Sequence, residues 1–208
     1  MSDILVVAAH PQLEHSRVTR ALLKALKKQR PDVALHDLYA RYPDYYIDVD
    51  AEQAALAAAR LVVWLHPTYW YSMPPLMKLW IDDVLAYGWA YGPGGTALHG
   101  KGLWLVTSTG AGPEAYAAGG RHGHPFETFL LPWQQTAMLT GMQALEPLVH
   151  HGAHRSDDAA LQTHVEDFLR GLDAARVGGE LDYSRCTVPG DERPDQAAVE
   201  AAGVPSRL

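Results

Sequence analysis

"ARLVVWLHPTYWYSMPPLMKLWIDDVLAY", residues 59–87, passes from an unbroken apolar run through an aromatic loop into a helical pattern. Residues 59–66 read as a strand covered on both faces, because a half-exposed strand alternates apolar with polar side chains. From residue 74 the period changes. Leu76, Met77, Trp80, Ile81, Val84 and Leu85 fall on one stripe of a helix that opens on Pro74 and Pro75, residues suited to a first turn. The loop between, "HPTYWYSMPP" (66–75), therefore lies at the carboxyl end of a strand. It carries Tyr69, Trp70 and Tyr71 where small polar residues are usual, so its rings ask for a flat, apolar partner.

The same alternation repeats on either side. "DILVVAA" (3–9), "VALHDL" (33–38), "GLWLVTS" (102–108) and "MQALEPLVHHG" (142–152) read as further strands. Helices are predicted over 16–29 with Ser16 as its cap, and over 50–59 with Asp50 and Gln53 at capping-box spacing. Two more follow, from about 125 to 139 with Pro132 bending it and from Ser156 to about 175. Strands alternating with helices predict an α/β domain, a doubly wound five-stranded parallel sheet with helices on both faces. Such sheets bind ligands beyond the carboxyl ends of strands where the winding reverses. The loops starting at His10, His66 and Thr107 share that end. Residues 1–176 are expected to form this domain, and the polar, Pro-marked stretch 177–208 an extended tail.

Bulk composition narrows the function. A length of 208 residues with 48% hydrophobic and 20% charged residues is ordinary globular composition. The N-terminus reads as a first strand rather than a signal peptide, and no apolar run approaches the ~20 residues of a membrane span. The single cysteine, Cys186, fits a cytoplasmic location and leaves no internal disulfide framework. A formal charge of −7 argues against nucleic-acid binding.

Among the motifs, "GTALHGK" (95–101) has P-loop spacing, but Gly102 replaces the required Ser or Thr and the stretch precedes a strand. A phosphoacceptor domain of the same winding needs carboxylates where His10-Pro11 and His66-Pro67 stand. "HHGAH" (150–154) lacks the Cys or carboxylate partners of a zinc site, so no metal is expected. "HPQLEHSR" (10–17) joins a strand to a helix, where free amides make an anion site that Ser16, His10 and Arg17 can supplement. An ordinary N-cap fits that stretch equally well. A flavin satisfies both loops: its ring stacking on Trp70 or Tyr71 and accepting from the amides of Thr68 to Tyr71, its phosphate at 10–17.

"HPTYWYSMPPLMKLWIDDVLAYGWAYGPGGTALHGK", with "HPQLEHSR" before it and "TSTGAGPEAYAAGGRHG" after it, resembles the flavodoxin-like NAD(P)H:quinone oxidoreductases. That family includes DT-diaphorase and the flavoproteins that accompany glutathione-gated potassium efflux systems. The resemblance spans roughly residues 3–175. It implies FMN, or alternatively FAD, as cofactor, NADH or NADPH as co-substrate, and a two-electron hydride relay to a quinone. It also implies a homodimer with 87–95 near the interface. Two alternatives come with it, reduction of azo or nitro compounds and a regulatory role beside a membrane transporter. By the same resemblance His10, Ser16, Arg17 and Val18 lie around the flavin phosphate, and Pro67, Thr68, Tyr69, Trp70 and Tyr71 beside the ring. Thr109, Gly110 and Ala111 face the ring's pyrimidine edge, with Ala111 where another glycine is usual. Tyr116 and His122 hold negative charge near that edge.

Overall fold

A computed structural model of the chain describes residues 2–175. The predicted tail at 177–208 and Cys186 lie outside the described residues. The chain runs β1 (Ile4–Ala8), α1 (Val18–Gln29), β2 (Ala34–Asp37), α2 (Leu38–Arg41), α3 (Val49–Ala58), β3 (Leu61–Pro67) and α4 (Pro75–Val84). It continues through β4 (Gly102–Ser108), α5 (Leu131–Leu139), β5 (Gln143–Ala144), β6 (Leu148–His150) and α6 (Asp158–Ala174). The sheet is parallel with order β2-β1-β3-β4-β5, and β6 also pairs with β4. Winding reverses between β1 and β3, so the loops after these strands flank a natural ligand crevice.

Both faces of the central strands are buried, which explains their unbroken apolar runs. Leu5 and Val7 of β1, with Val62 and Trp64 of β3, pack beneath Leu76, Met77, Trp80 and Val84 of α4. Ile4, Val6 and Ala8, with Val63 and Leu65, pack against Leu22 and Leu26 of α1 and Phe168 and Leu172 of α6. Fully burying each such side chain contributes about 1.5–3 kcal/mol, and these two layers fix the scaffold beneath the loops.

Several local details differ from the sequence reading. The fifth strand is broken into β5 and β6, because Pro147 has no amide for the ladder. The Glu146 carbonyl beside it turns to accept from Trp104 Nε1 at 2.9 Å. Asp48, not Asp50, caps α3, accepting from the Ala51 amide at 3.0 Å, and Gln53 donates instead to the Val84 carbonyl at 2.9 Å. Pro132 opens α5, where its missing N–H leaves no bond unmade, and does not bend it. A short extra helix, α2, follows β2 directly. It belongs to a buried polar knot: fully buried Glu52 accepts from Tyr42 Oη at 2.6 Å and Trp80 Nε1 at 3.0 Å, with His36 Nδ1 at 2.9 Å and Arg41 Nε at 3.2 Å. Burial alone would raise this carboxyl's pKa, but the bonds from His36, Tyr42 and Trp80 hold it below the usual range.

Candidate active site

The loops after β1, β3 and β4 converge at one end of the sheet. In the first, the Gln12 amide donates to His10 Nδ1 at 3.1 Å, so that nitrogen is unprotonated and Nε2 carries the donor hydrogen. Burial lowers the His10 pKa against the opposing pull of Asp37, which keeps the ring a neutral donor. Buried Ser16 accepts from the Thr19 amide at 3.1 Å through Oγ, leaving its own hydroxyl hydrogen to donate. The first-turn amides of Arg17 and Val18 have no intrahelical acceptor, and the Val18 side chain is buried beneath them. The loop thus carries four free donors about the start of α1, a donor set suited to a phosphate. The Arg17 guanidinium turns away. It donates to the Ser156 carbonyl at 2.6 Å and pairs with Asp158 at 2.7 Å, tying α1 to the start of α6.

The second loop departs from ordinary turn chemistry. Tyr69 and Ser72 exchange backbone hydrogen bonds, at 3.3 Å from the Tyr69 amide and 3.0 Å from the Ser72 amide. The two residues between them, Trp70 and Tyr71, have φ of 48° and 64°. A two-residue turn with both φ positive normally uses Asn-Gly. Here two aromatic residues are held in the left-handed region, at about 1–3 kcal/mol each. Their amides have no acceptor among the described residues, and the Trp70 ring is 92% exposed. The Thr68 amide donates to the Ser108 carbonyl at 2.7 Å and the Tyr69 amide to that of Ser72, so of the amides 68–71 expected to face a ligand these two are taken and only those of Trp70 and Tyr71 are left free. Pro67 ends β3, and the Thr68 hydroxyl lies 3.1 Å from that of Thr107.

The third loop folds back on itself. His122 donates its amide to the Ala115 carbonyl at 3.1 Å, which lays its ring on Tyr116 with centroids 4.6 Å apart and planes at 24°. Gly120 makes this return possible, because a Cβ there would sit 2.5 Å from the Ala115 carbonyl oxygen. His122 Nδ1 lies 3.3 Å from Tyr71 Oη, while its Nε2 is buried with no protein partner. Thr109 donates its hydroxyl to the Ala111 carbonyl at 2.7 Å and its amide to the His150 carbonyl at 2.9 Å. The Gly110 and Ala111 amides are left without acceptors among the described residues. Ala111 is absent from the positive-φ residues, so its methyl group fits without backbone strain.

The structure thus brings Tyr71, Tyr116 and His122 into one cluster and sets His10 against Tyr69, with ring centroids 6.2 Å apart. It also adds two residues that the sequence reading missed. Phe129 stacks on Tyr71 at 5.0 Å. His151 lies 5.4 Å from the Tyr116 ring, with Nδ1 3.0 Å from Thr109 Oγ1. Since the Thr109 hydroxyl hydrogen goes to Ala111, His151 Nδ1 is the donor of that pair. Burial lowers its pKa against Glu127 and Glu114, keeping the ring neutral. The place of "HHGAH" after a strand at this same end was the signal available.

The site fits a flavin mononucleotide. The free donors of the first loop suit a phosphate, those of the second and third loops suit a polar ring edge, and the buried His122 Nε2 has no protein partner.

Residues 2–172 match the family model described as "Flavodoxin-like fold". The glutathione-regulated potassium-efflux system ancillary protein KefF of Salmonella typhimurium is 44% identical over 169 residues, 81% of this chain and 94% of that protein. General stress protein 14 of Treponema denticola, solved in complex with FMN, superposes with a TM-score of 0.77 at 36% identity, covering 83% of this chain and 98% of that one. A protein from P. pentosaceus described as an NADPH-quinone reductase superposes with a TM-score of 0.74 at 29% identity, covering 82% and 97%.

Proposed function

The chain belongs to the flavodoxin-like NAD(P)H:quinone oxidoreductase family, and on that premise we propose that it is an FMN-dependent oxidoreductase passing two electrons from NADPH or NADH to a quinone. The observation that carries this reading is the strained Trp70-Tyr71 turn, whose unpaired amides and exposed ring stand at the sheet's switch point. Local strain of this kind persists where function uses it.

When bound, FMN supplies the two-electron chemistry that side chains lack. His10 Nε2, the Ser16 hydroxyl and the amides of Arg17 and Val18 hold the phosphate. Trp70 and Tyr71 bound the ring and direct their amides to it, with Tyr69, Pro67 and Thr68 fixing the turn's base. Thr109 braces the third loop so that the Gly110 and Ala111 amides meet the pyrimidine edge. Tyr116 and His122 hold negative charge there, and Tyr71 and His151 keep their rings in place. Preorganised donors aimed at developing charge are the main catalytic device available to such a site.

The active species is a homodimer. Tyr87, in the 87–95 loop, is 64% exposed, and Leu131, Met138 and Leu139 of α5 are 57%, 54% and 58% exposed, which makes them the side chains available to a partner copy. Likeness to KefF over nearly that protein's whole length supports a second role, as the ancillary partner of a membrane efflux system. No helix among the described residues is itself long and apolar enough to cross a membrane.

The test is purification followed by an absorption spectrum, mass analysis of the released flavin, and NADH or NADPH oxidation with a soluble quinone. A yellow protein that releases FMN and reduces the quinone is the expected result. A colourless chain that takes up neither FMN nor FAD on reconstitution would sink the reading. Sedimentation checks the dimer, and co-purification with a membrane protein the second role.

A further inference from the structure

Beneath the aromatic turn lies a cavity of about 30 Å³ between the sheet and the segment leading into α5. Trp64 and His66 point into it from one face of β3, in register with Leu105 and Thr107 of β4, and Trp133 of α5 closes the far side. Tyr71 belongs to its roof.

Three nitrogens of this wall are buried without any partner in the protein: Trp64 Nε1, His66 Nε2 and Trp133 Nε1. Among the described residues only His122 Nε2 and His164 Nε2 share that condition, so most such atoms gather on this one cavity. Their chemistry is complementary. His66 Nδ1 lies 3.0 Å from the Pro67 carbonyl oxygen, which can only accept, so Nδ1 carries the hydrogen and Nε2 presents a bare lone pair. Burial drives this imidazole down to about 4 and keeps it neutral. The two indoles can only donate. The wall therefore offers one acceptor and two donors that do not reach one another.

A ligand here must accept from two N–H groups, donate to one nitrogen and fit a space of about 30 Å³, which exceeds the ~10–15 Å³ of such space that one water needs but is too small for a molecule of many atoms. Larger polar molecules are excluded by volume and apolar ones by the bare nitrogens. We propose that the cavity is a binding site for one ordered water, which accepts from Trp64 and Trp133 and donates to His66. Its second hydrogen has an acceptor nearby: the Thr68 and Thr107 hydroxyls lie 3.1 Å apart, only one of them donates to the other, and both line the cavity. The water then pins α5 to the end of β3 under the turn that carries Trp70 and Tyr71.

The experiment uses the full chain, ¹⁵N-labelled at tryptophan, with the indole signals assigned through Trp64→Phe and Trp133→Phe. Rotating-frame cross-peaks to water are recorded at the indole N–H protons. Cross-peaks of the sign given by a long-lived bound water at both Trp64 and Trp133 are expected. His66→Leu, which removes the acceptor, should lose both, whereas His66→Gln, whose amide oxygen accepts, should keep them. A crystal structure of the wild-type protein should show one solvent peak within hydrogen-bond distance of all three nitrogens. Absence of a cross-peak at either indole in the wild type, or a direct indole-to-imidazole bond in the crystal, overturns the assignment even if the variants do not fold.

Discussion

Replacing Tyr116 by Phe and His122 by Ala separates charge stabilisation from packing. Tyr116→Phe keeps the ring that meets His122 at 4.6 Å, Phe126 at 5.1 Å and His151 at 5.4 Å, so only the hydroxyl is lost. His122→Ala also removes the exposed 3.3 Å contact with Tyr71 Oη, an ordinary hydrogen bond contributing about 0.5–1.5 kcal/mol. Neither change touches His10, Ser16 or the amides of the second loop, so flavin occupancy should persist. A hydrogen bond to a charged partner is worth roughly 1.5–3 kcal/mol, and about 1.4 kcal/mol is tenfold in rate. Each variant should therefore slow flavin reduction by roughly 10- to 150-fold, followed as bleaching by NADPH in a stopped-flow instrument. Occupancy is checked beforehand from the absorption spectrum. Unchanged bleaching rates in both variants at full occupancy would refute the role, and loss of flavin would make these residues structural.

Three further outcomes follow from the same geometry. Burial holds His66 and His164 near 4, below their ordinary 6.5, so the unfolded chain takes up protons first as pH falls. Each contributes up to roughly 3 kcal/mol that is fully present above about pH 6.5 and lost as pH drops towards 4, and a flat urea stability profile across that window would contradict the assignment. Glu52→Gln removes the charge at the centre of four partners and should lower unfolding free energy by about 3 kcal/mol in chemical denaturation; a loss under about 1 kcal/mol would show the carboxylate to be dispensable. Trp70→Asn relieves a left-handed aromatic position that buries little surface, so the flavin-free protein should gain about 0.5–1 kcal/mol while FMN affinity falls, and tighter FMN binding would remove the turn from the site.

The scaffold was legible wherever burial alone decides structure. Continuous apolar runs marked β1, β3 and β4 because these strands are covered on both faces, and β4 occupies the predicted residues 102–108. Legibility failed where one residue's hydrogen bonding overrides a pattern. Pro147 breaks a strand whose hydrophobicity continues past it, Asp48 takes the capping role that Asp50 could equally fill from sequence, and α2 is too short to show a period.

At the site the loops were identifiable from their place after strands, but the directions of their groups were not. Arg17 reaches α6 through contacts 139 and 141 residues away in sequence, and His151 meets Thr109 across 42, distances no local pattern encodes. The turn at 70–71 was hidden for a different reason: aromatic residues are poor choices for positive φ, so propensity argues against the conformation adopted. That mismatch is informative in itself. Local preference and global fold agree in the apolar packing of the two buried layers, whereas at Trp70 and Tyr71, and at the unpaired nitrogen of His122, they conflict in loops where a bound ligand can compensate them.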